Sequence, residues 1–326
     1  MGFVNRVPVP VMAETPKRSP VETWWNFLFG SKKGQRPGLP IPSVRTDLKT
    51  LTEDKMVWLG HSGFYIKKWG LGILIDPALN DSSPVPGFFR PFKGADIYKA
   101  GDLPPHIDLL VITHDHYDHL DYKVVQSLKG RVGQVVCPLG VGLHFEKWGW
   151  DPDLIVELDW YEGIRLGDLD LTLTPSQHFS GRSMKRNETL WGGYVFAWPD
   201  ITVYFSGDGG YGPHFKEVGR WWRPDLAVVE IGQYDDAWAG IHLRPQDWVR
   251  AVADIGAVRV MGCHHAKYCL SNHTWYAPLE AEEAKTRELG AQLFTPKIGA
   301  PLDLQKVLRG EEKTLPWWKE AMRADL

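Results

Sequence analysis

This chain of 326 residues contains few cysteines, no long apolar run and no large excess of one sign of charge. Its three cysteines are Cys137, Cys263 and Cys269. Because their number is odd and two of them lie in or beside apolar segments, we expect buried free thiols rather than a disulfide framework. No run of about 18 apolar residues occurs, so no transmembrane helix is predicted. Residues 1–20 lack the apolar core of a signal peptide, and a cytoplasmic location is the expectation.

The charge balance argues against nucleic acid as a partner. The formal net charge at pH 7 is -3, whereas nucleic-acid-binding domains usually present a strongly basic face. Hydrophobic residues make up 43% of the chain, which is enough to fill a sizeable core. The sequence has no linker rich in serine and glycine and no internal repeat. We therefore predict one catalytic domain over residues 51–326, preceded by an irregular N-terminal extension over residues 1–50.

The N-terminal extension contains one aromatic segment, residues 21–30 (VETWWNFLFG). Three basic residues follow it: Lys32, Lys33 and Arg36. Aromatic rings next to cations are typical of peripheral contact with a membrane surface. The simpler interpretation is an arm that packs onto the domain. The sequence leaves both interpretations open, and it leaves a homodimer open as well.

A run of six residues, 114–119 (HDHYDH), contains four strong metal ligands: His114, His116, Asp118 and His119. A helix cannot present all four to one point, because its neighbouring side chains lie three and four residues apart. A turn after a strand can, and residues 107–113 (IDLLVIT) are typical of a buried strand. Imidazole and carboxylate are the ligands of catalytic zinc. The run therefore predicts a metal site.

Later apolar segments also end in metal-binding side chains. Each predicted strand is followed by its candidate ligand: residues 169–175 by His178, residues 201–205 by Asp208, and residues 258–262 by His264 or His265. Strand ends that gather at one edge of a sheet are where open α/β folds build their sites. We therefore expect these side chains to join those of the 114–119 loop.

The number of ligands indicates two metal ions. One catalytic zinc ion takes three protein ligands and a water, so seven candidates suit two ions that share a bridge, as in two-metal hydrolytic sites. Asp208 is the expected bridge, because a carboxylate has two oxygens. The pairing that we favour places His114, His116 and His178 on one ion, and Asp118, His119 and one of the two late histidines on the other. Zinc is the expected metal, with manganese or iron as alternatives.

Three other polar residues are candidates for supporting roles. Asp76 ends a predicted strand, where it can hydrogen-bond the free nitrogen of a ligand histidine or simply form a turn. His61, between two glycines, either lies near the metals or is a buried histidine of the core. Arg182 belongs to a basic stretch, residues 178–187, that can contact an anionic substrate or be solvated.

The chain resembles the metallo-β-lactamase superfamily, whose signature loop has this His-x-His-x-Asp-His pattern. A longer set of segments is similar to the branch that contains N-acyl-phosphatidylethanolamine-hydrolysing phospholipase D, and L-ascorbate-6-phosphate lactonase is a more distant relative. These segments are 58–61 (WLGH), 75–77 (IDP), 138–140 (PLG), 157–160 (ELDW), 190–193 (LWGG) and 207–211 (GDGGY). The resemblance spans residues 56–303. It implies an α+β fold, the four-layer αββα sandwich.

The resemblance also implies roles for individual residues. Members of this branch have an aromatic residue four positions after the late ligand, and Tyr268 stands at that distance from His264, which favours His264 over His265. Related enzymes have a histidine that faces the site in the loop that here contains His242. Tyr211 is implied as a substrate-binding or supporting residue.

The expected activity is that of a dinuclear zinc phosphodiesterase that acts on N-acyl phospholipids and releases products like N-acylethanolamines. A hydroxide held between the ions would attack phosphorus, Asp118 would orient it, and His242 would give a proton to the leaving group. The alternative is a soluble hydrolase of a small anionic ester or lactone. A diiron redox protein or a non-catalytic metal binder is disfavoured, because redox relatives have glutamate at the position of His116.

Overall fold

The structure is a computed structural model that describes residues 2–12, 19, 22, 25, 33–85, 87–182, 185–323 and 325. Most of the aromatic segment at residues 21–30 lies outside these described residues. The structure therefore tests neither of the two interpretations offered for it. None of the helices in the described ranges is both long enough and apolar enough to cross a bilayer.

Two seven-stranded sheets form the centre of the molecule. The first has the strand order β14-β1-β2-β3-β4-β5-β6, with β1 Lys55–Gly60, β2 Gly63–Lys68, β3 Leu71–Ile75, β4 Ile107–Val111, β5 Val132–Pro138, β6 Ile155–Leu158 and β14 Pro301–Asp303. The second has the order β13-β12-β11-β10-β9-β8-β7, with β7 Gly163–Leu166, β8 Leu169–Thr174, β9 Gly193–Ala197, β10 Thr202–Phe205, β11 Leu226–Glu230, β12 Arg259–Cys263 and β13 Gln292–Leu293.

Helices cover the outer faces of both sheets. In the described residues the α-helices are α1 Tyr122–Ser127, α2 Gly142–Lys147, α3 His214–Trp221, α4 Pro245–Ile255, α5 Ala277–Leu289, α6 Leu304–Leu308 and α7 Trp318–Met322. Short 3-10 helices occur at Leu48–Thr50, Ala100–Asp102, Pro152–Leu154 and Asp236–Trp238.

Strand β1 shows how the alternation of side chains builds the layers. Met56 and Trp58 point into the core between the two sheets, whereas Val57 and Leu59 belong to the core between the first sheet and its helices. Both faces of this strand are therefore buried, which explains why its sequence is apolar without interruption. A third core lies between the second sheet and helices α3 and α4. The layers confirm the predicted αββα sandwich.

Helix α4 illustrates the local signals that fix an outer element. Proline occupies its first position, where the missing N–H costs nothing. Its buried residues Trp248, Ala251, Val252 and Ile255 recur at helical spacing along one face. Gly256 then ends the helix in the left-handed region, with φ +69°.

The sheet topology brings the predicted ligands to one edge. Strands β3 and β4 are parallel, and β8 runs in the same direction as β10, β11 and β12. Their carboxyl ends consequently meet at the same edge of the sandwich. Gly207 allows a close approach of two backbone segments there, because a Cβ at this position would lie 2.3 Å from the carbonyl oxygen of Gly192.

Candidate metal centre

The carboxylate of Asp208 lies at the centre of the buried cluster. Its Oδ2 is 3.0 Å from His264 Nε2 and 3.1 Å from His119 Nε2. The same oxygen is 3.9 Å from the Nε2 atoms of both His114 and His178. Among the described residues, its Oδ1 is buried and has no hydrogen-bond partner. This is the position and the free oxygen that a carboxylate bridging two cations needs.

Three imidazoles form one group beside Asp208. His116 Nδ1 lies 2.9 Å from His114 Nε2 and 3.2 Å from His178 Nε2. Burial lowers the pKa of all three rings, that of His116 to about 4, so they are neutral and offer nitrogen lone pairs to a common point. The group is the one expected for the first ion, and its donor set fits zinc.

Asp118 organises a second group on the other side of Asp208. Its Oδ2 is 2.9 Å from His61 Nε2, 3.3 Å from His264 Nε2 and 3.7 Å from His119 Nε2. Together these four residues could hold a metal ion. The group includes the predicted Asp118, His119 and His264. It also places His61, for which the sequence left a core role open, in direct contact with a candidate ligand.

Charge distinguishes the second group from the first. Burial opposes the imidazolium form of His119, but the carboxylates of Asp208, Asp76 and Asp118 outweigh it and raise its pKa to about 10. The pKa of His264 is likewise raised well above its usual value, against burial, by Asp208 and Asp118. Without metal, these rings therefore carry protons at neutral pH.

Asp76 binds the nitrogen of His119 that does not face Asp208. Its Oδ2 accepts from His119 Nδ1 at 2.7 Å, and its Oδ1 accepts from the backbone N–H of Thr113 at 2.9 Å. The Thr113 hydroxyl also donates to Oδ2, at 2.6 Å. These contacts fix the orientation of the His119 ring and direct its Nε2 towards Asp208. Of the two roles considered for Asp76, the structure places it in the supporting one.

The two late histidines point in different directions. His264, at φ +67°, directs Nε2 into the cluster. His265 packs edge-on against Trp58, with ring centroids 5.3 Å apart, and its Nε2 lies 3.9 Å from Glu282 Oε1. The structure therefore brings His264, and not His265, to the candidate centre.

Tyr268 and Tyr211 have different positions relative to the cluster. The Tyr268 ring stands edge-on to His61 at 5.0 Å, and its hydroxyl donates to the Asn80 carbonyl at 2.7 Å, so it supports His61. The Tyr211 hydroxyl instead donates to Asp254 of α4 at 2.5 Å. Tyr211 thus packs against an outer helix, and its role in substrate binding or support stays a prediction.

Arg182 contacts the loop that contains residues 114–119. Its guanidinium donates to the carbonyl oxygens of Asp115 and Leu120 at 2.8 and 2.6 Å, and it lies over the Tyr117 ring at 4.0 Å from the centroid. These contacts show that Arg182 is not simply solvated but braces the loop that contains residues 114–119, and its contact with an anionic substrate stays a prediction. The basic residue of this stretch that does reach the central cavity is Arg186.

A cavity of about 250 Å³ opens directly onto the cluster. Five of the candidate ligands line it: His116, Asp118, His178, Asp208 and His264. Its other walls are mainly apolar: Val11, Met12, Phe179, Trp238, Ile241 and Leu270. Cavities of this kind, apolar with a few convergent polar groups, are typical of small-molecule sites.

His242 lies between the cavity and two candidate ligands. Its ring centroid is 5.0 Å from those of both His178 and His264. Its Nδ1 is 3.4 Å from Oε1 of Glu230, which is buried at the end of β11 and accepts from the backbone N–H of Leu243 at 2.8 Å. His242 therefore faces the site as the resemblance implied.

The sequence analysis missed two polar residues of this region. Glu230 had a usable signal, because it ends an apolar strand in the same way as the recognised ligands do. Asn5 had none. Its side chain hydrogen-bonds both backbone groups of His178, although 173 positions separate the two residues.

Comparison with known proteins agrees with this geometry. A family model described as the β-lactamase superfamily domain matches residues 72–265, more than half of the chain. The chain belongs to the metallo-β-lactamase superfamily. A curated relative, an uncharacterized protein of Mycobacterium tuberculosis, is 32% identical over 325 residues, which cover 98% of this chain and 86% of the relative.

One further relative bears on the branch of the superfamily, and one solved structure bears on the fold. N-acyl-phosphatidylethanolamine-hydrolyzing phospholipase D 1 of Caenorhabditis elegans is 30% identical over 275 residues, covering 78% of this chain and 76% of that protein. The crystal structure of an isothiocyanate hydrolase from Delia radicum gut bacteria has a TM-score of 0.61 at 19% identity, covering 76% and 98% of the two chains. The family is one of metal-dependent hydrolases, and the chain is an enzyme of this class.

Replacement of Asp208 by asparagine tests the bridge. The Asp208→Asn variant keeps the side-chain volume but loses the charge that two cations would share, so we expect bound metal to fall from two ions per chain to one or none. Metal analysis after dialysis measures the content, with circular dichroism as a check on folding. Asp254→Asn makes the same chemical change away from the cluster and should retain both ions. Two ions in Asp208→Asn would contradict the bridging role.

The raised pKa values predict proton release on metal binding. Because the pKa of His119 is about 10, this ring is protonated at pH 7, and a cation that takes Nε2 must displace the proton. We expect zinc binding to release at least one proton per chain and to tighten as the pH rises towards 10. Calorimetry in two buffers with different ionisation enthalpies counts the protons. Identical heats in both buffers would show that neutral ligands bind the ion.

Proposed function

We propose that the protein is a dinuclear zinc phosphodiesterase of the phospholipase D type, which hydrolyses N-acyl phospholipids or similar lipids. The observation that carries the proposal is a single cavity that has the two ligand groups on one side and apolar walls on the other. The printed name of the Caenorhabditis elegans relative supports the same substrate class.

Each candidate ligand has a proposed role in binding the two ions. His114, His116 and His178 would hold one ion, Asp118, His119 and His264 the other, and Asp208 both. When bound, two such ions supply a water of lowered pKa as nucleophile and stabilise negative charge on the phosphoryl oxygens. Asp118, at the cavity wall, would also orient that water. His61 holds Asp118 in place through its hydrogen bond of 2.9 Å.

His242 is the proposed proton donor to the leaving oxygen. Its Nδ1 faces Glu230, which leaves Nε2 for the substrate. Arg186, exposed at the cavity wall, provides positive charge for the phosphodiester anion. The mechanism needs no nucleophilic serine or cysteine, because water activated by the metal ions would serve as the nucleophile.

Cavity size favours a second candidate, a hydrolase of small anionic esters or lactones. The volume of about 250 Å³ lies below the range of roughly 300–1,000 Å³ that is typical of pockets for drug-sized ligands. A diacyl phospholipid exceeds it, so in the first proposal the acyl chains must extend beyond the cavity. A small ester would be enclosed completely.

A hydrolysis screen of the zinc-loaded protein separates the two candidates. The substrates are vesicles that contain N-acyl-phosphatidylethanolamine, the soluble diester bis(4-nitrophenyl) phosphate, and a soluble anionic lactone. We expect turnover of both diesters, with the vesicles turned over faster because their acyl chains contact the apolar walls. Turnover of the lactone alone would contradict the phosphodiesterase proposal and support the second candidate.

A variant of His242 tests the proposed proton donor. His242→Ala should lower kcat about 10²- to 10⁴-fold, the usual effect of losing a general acid, while metal content stays unchanged. His106→Ala is the control, since the His106 side chain is 65% exposed and lies outside the cavity. An unchanged kcat in His242→Ala would remove this residue from the mechanism.

A further inference from the structure

The first residues of the chain form a strap, residues 2–12, across the candidate metal centre. Near its start, the backbone N–H of Phe3 donates to the Asn187 carbonyl at 2.8 Å. Further along, the guanidinium of Arg6 binds both carboxylate oxygens of Glu217 in α3, at 2.6 and 2.9 Å. The strap is thereby fixed to two separate parts of the second half of the chain.

Asn5 connects the strap to a candidate ligand. Its Nδ2 donates to the carbonyl oxygen of His178 at 2.8 Å, and its Oδ1 accepts from the backbone N–H of His178 at 3.0 Å. The same oxygen accepts from Trp191 Nε1 at 3.2 Å. One amide side chain thus pairs with both backbone groups of a buried residue, much as a neighbouring strand would.

This pairing matters because His178 lies beyond the end of β8, where the ladder no longer holds the backbone. Its side chain is held separately, by the contact of Nδ1 with the Ile241 carbonyl at 3.0 Å. Asn5 therefore binds the backbone groups of His178 itself, while the preceding residue is held by the Gly210 N–H, which donates to the Gln177 carbonyl at 2.8 Å. Loss of the amide would leave a buried N–H and a buried carbonyl without their partners, which is costly.

The far end of the strap reaches the cavity. Val9 and the carbonyl of Pro10 pack against Gly240, where a Cβ would lie 3.3 Å from each. Val11 and Met12 then line the cavity wall. The strap consequently contacts the backbone of one candidate ligand and closes part of the space in front of the cluster.

We propose that Asn5 is a positioning residue for His178, and that docking of the strap and metal binding at the first group stabilise each other. This inference rests on the proposed two-metal centre. Coupling of this kind is reciprocal: if the docked strap favours the metal, the metal favours the docked strap by the same factor. Groups that orient a metal ligand typically contribute 10- to 100-fold to metal affinity, and the lower figure suits a contact with the backbone.

Metal affinity is the first measurement. Zinc titrations of the full chain in chelator-buffered solutions compare wild type with Asn5→Ala. We expect Asn5→Ala to bind one of the two ions about tenfold more weakly and the other unchanged. Val4→Ala is the matched control, since Val4 is the neighbouring strap residue and is 75% exposed. It should bind both ions like wild type.

Accessibility of the strap is the second measurement. Trypsin cleaves after arginine, and mass spectrometry follows release of residues 1–6. In wild type and in Val4→Ala, zinc should slow this cleavage, because the ion holds His178 and hence Asn5. In Asn5→Ala, zinc should have little effect on the cleavage rate.

A second variant covers the case in which Asn5→Ala does not fold. Asn5→Gln keeps both the donor and the acceptor of the amide but displaces them by one methylene group, so it should weaken the same ion by a smaller factor. Unchanged affinity in the folded variants, or cleavage of wild type that does not respond to zinc, overturns the coupling. Failure of wild type to bind two ions would instead refute the two-metal centre itself.

Discussion

Burial of carboxyl groups is the constraint on which this site depends. Asp76, Asp118, Asp208 and Glu230 are all buried at the same edge of the sandwich. Carboxylates removed from water are costly unless positive charge compensates them. Without metal, the imidazolium forms of His119 and His264 provide compensating positive charge. Two divalent cations would carry the four positive charges that four carboxylates require, and both rings could then be neutral ligands.

The balance between buried carboxylates and positive charge also explains why the two ligand groups of the centre differ. In the group around His116, burial lowers the pKa of the three rings and keeps them neutral, so their nitrogens are available to bind a cation. The group around Asp118 is held together by hydrogen bonds to charged partners. A metal ion that enters the second group must displace protons, whereas one that enters the first group must mainly order its ligands. The groups that orient the candidate ligands differ as well. The carboxylate of Asp76 binds the ring of His119, whereas the amide of Asn5 binds the backbone of His178.

The sequence predicted most of the fold and the gathering of the candidate ligands at one edge, because both depend on local patterns. Apolar segments of strand length, each followed by histidine or aspartate, mark the edge at which His114, His178, Asp208 and His264 meet. What the sequence could not predict depends on long-range geometry. The direction of the Arg182 side chain is set by the carbonyl oxygens of Asp115 and Leu120. A run of basic residues in the sequence does not show whether such a side chain binds the protein's own backbone or a substrate.

Asn5 shows most clearly what sequence patterns cannot predict, because nothing in an irregular, proline-rich extension distinguishes one asparagine from another. Its role arises only when the chain places residue 5 next to the open end of β8. The substrate space is therefore shared between two parts of the chain: the sandwich provides the ligands, and the strap provides part of the wall. A fold of this kind does not by itself define the substrate. Proteins with the same two sheets but a different N-terminal segment would have a differently shaped cavity in front of the same metal-binding edge.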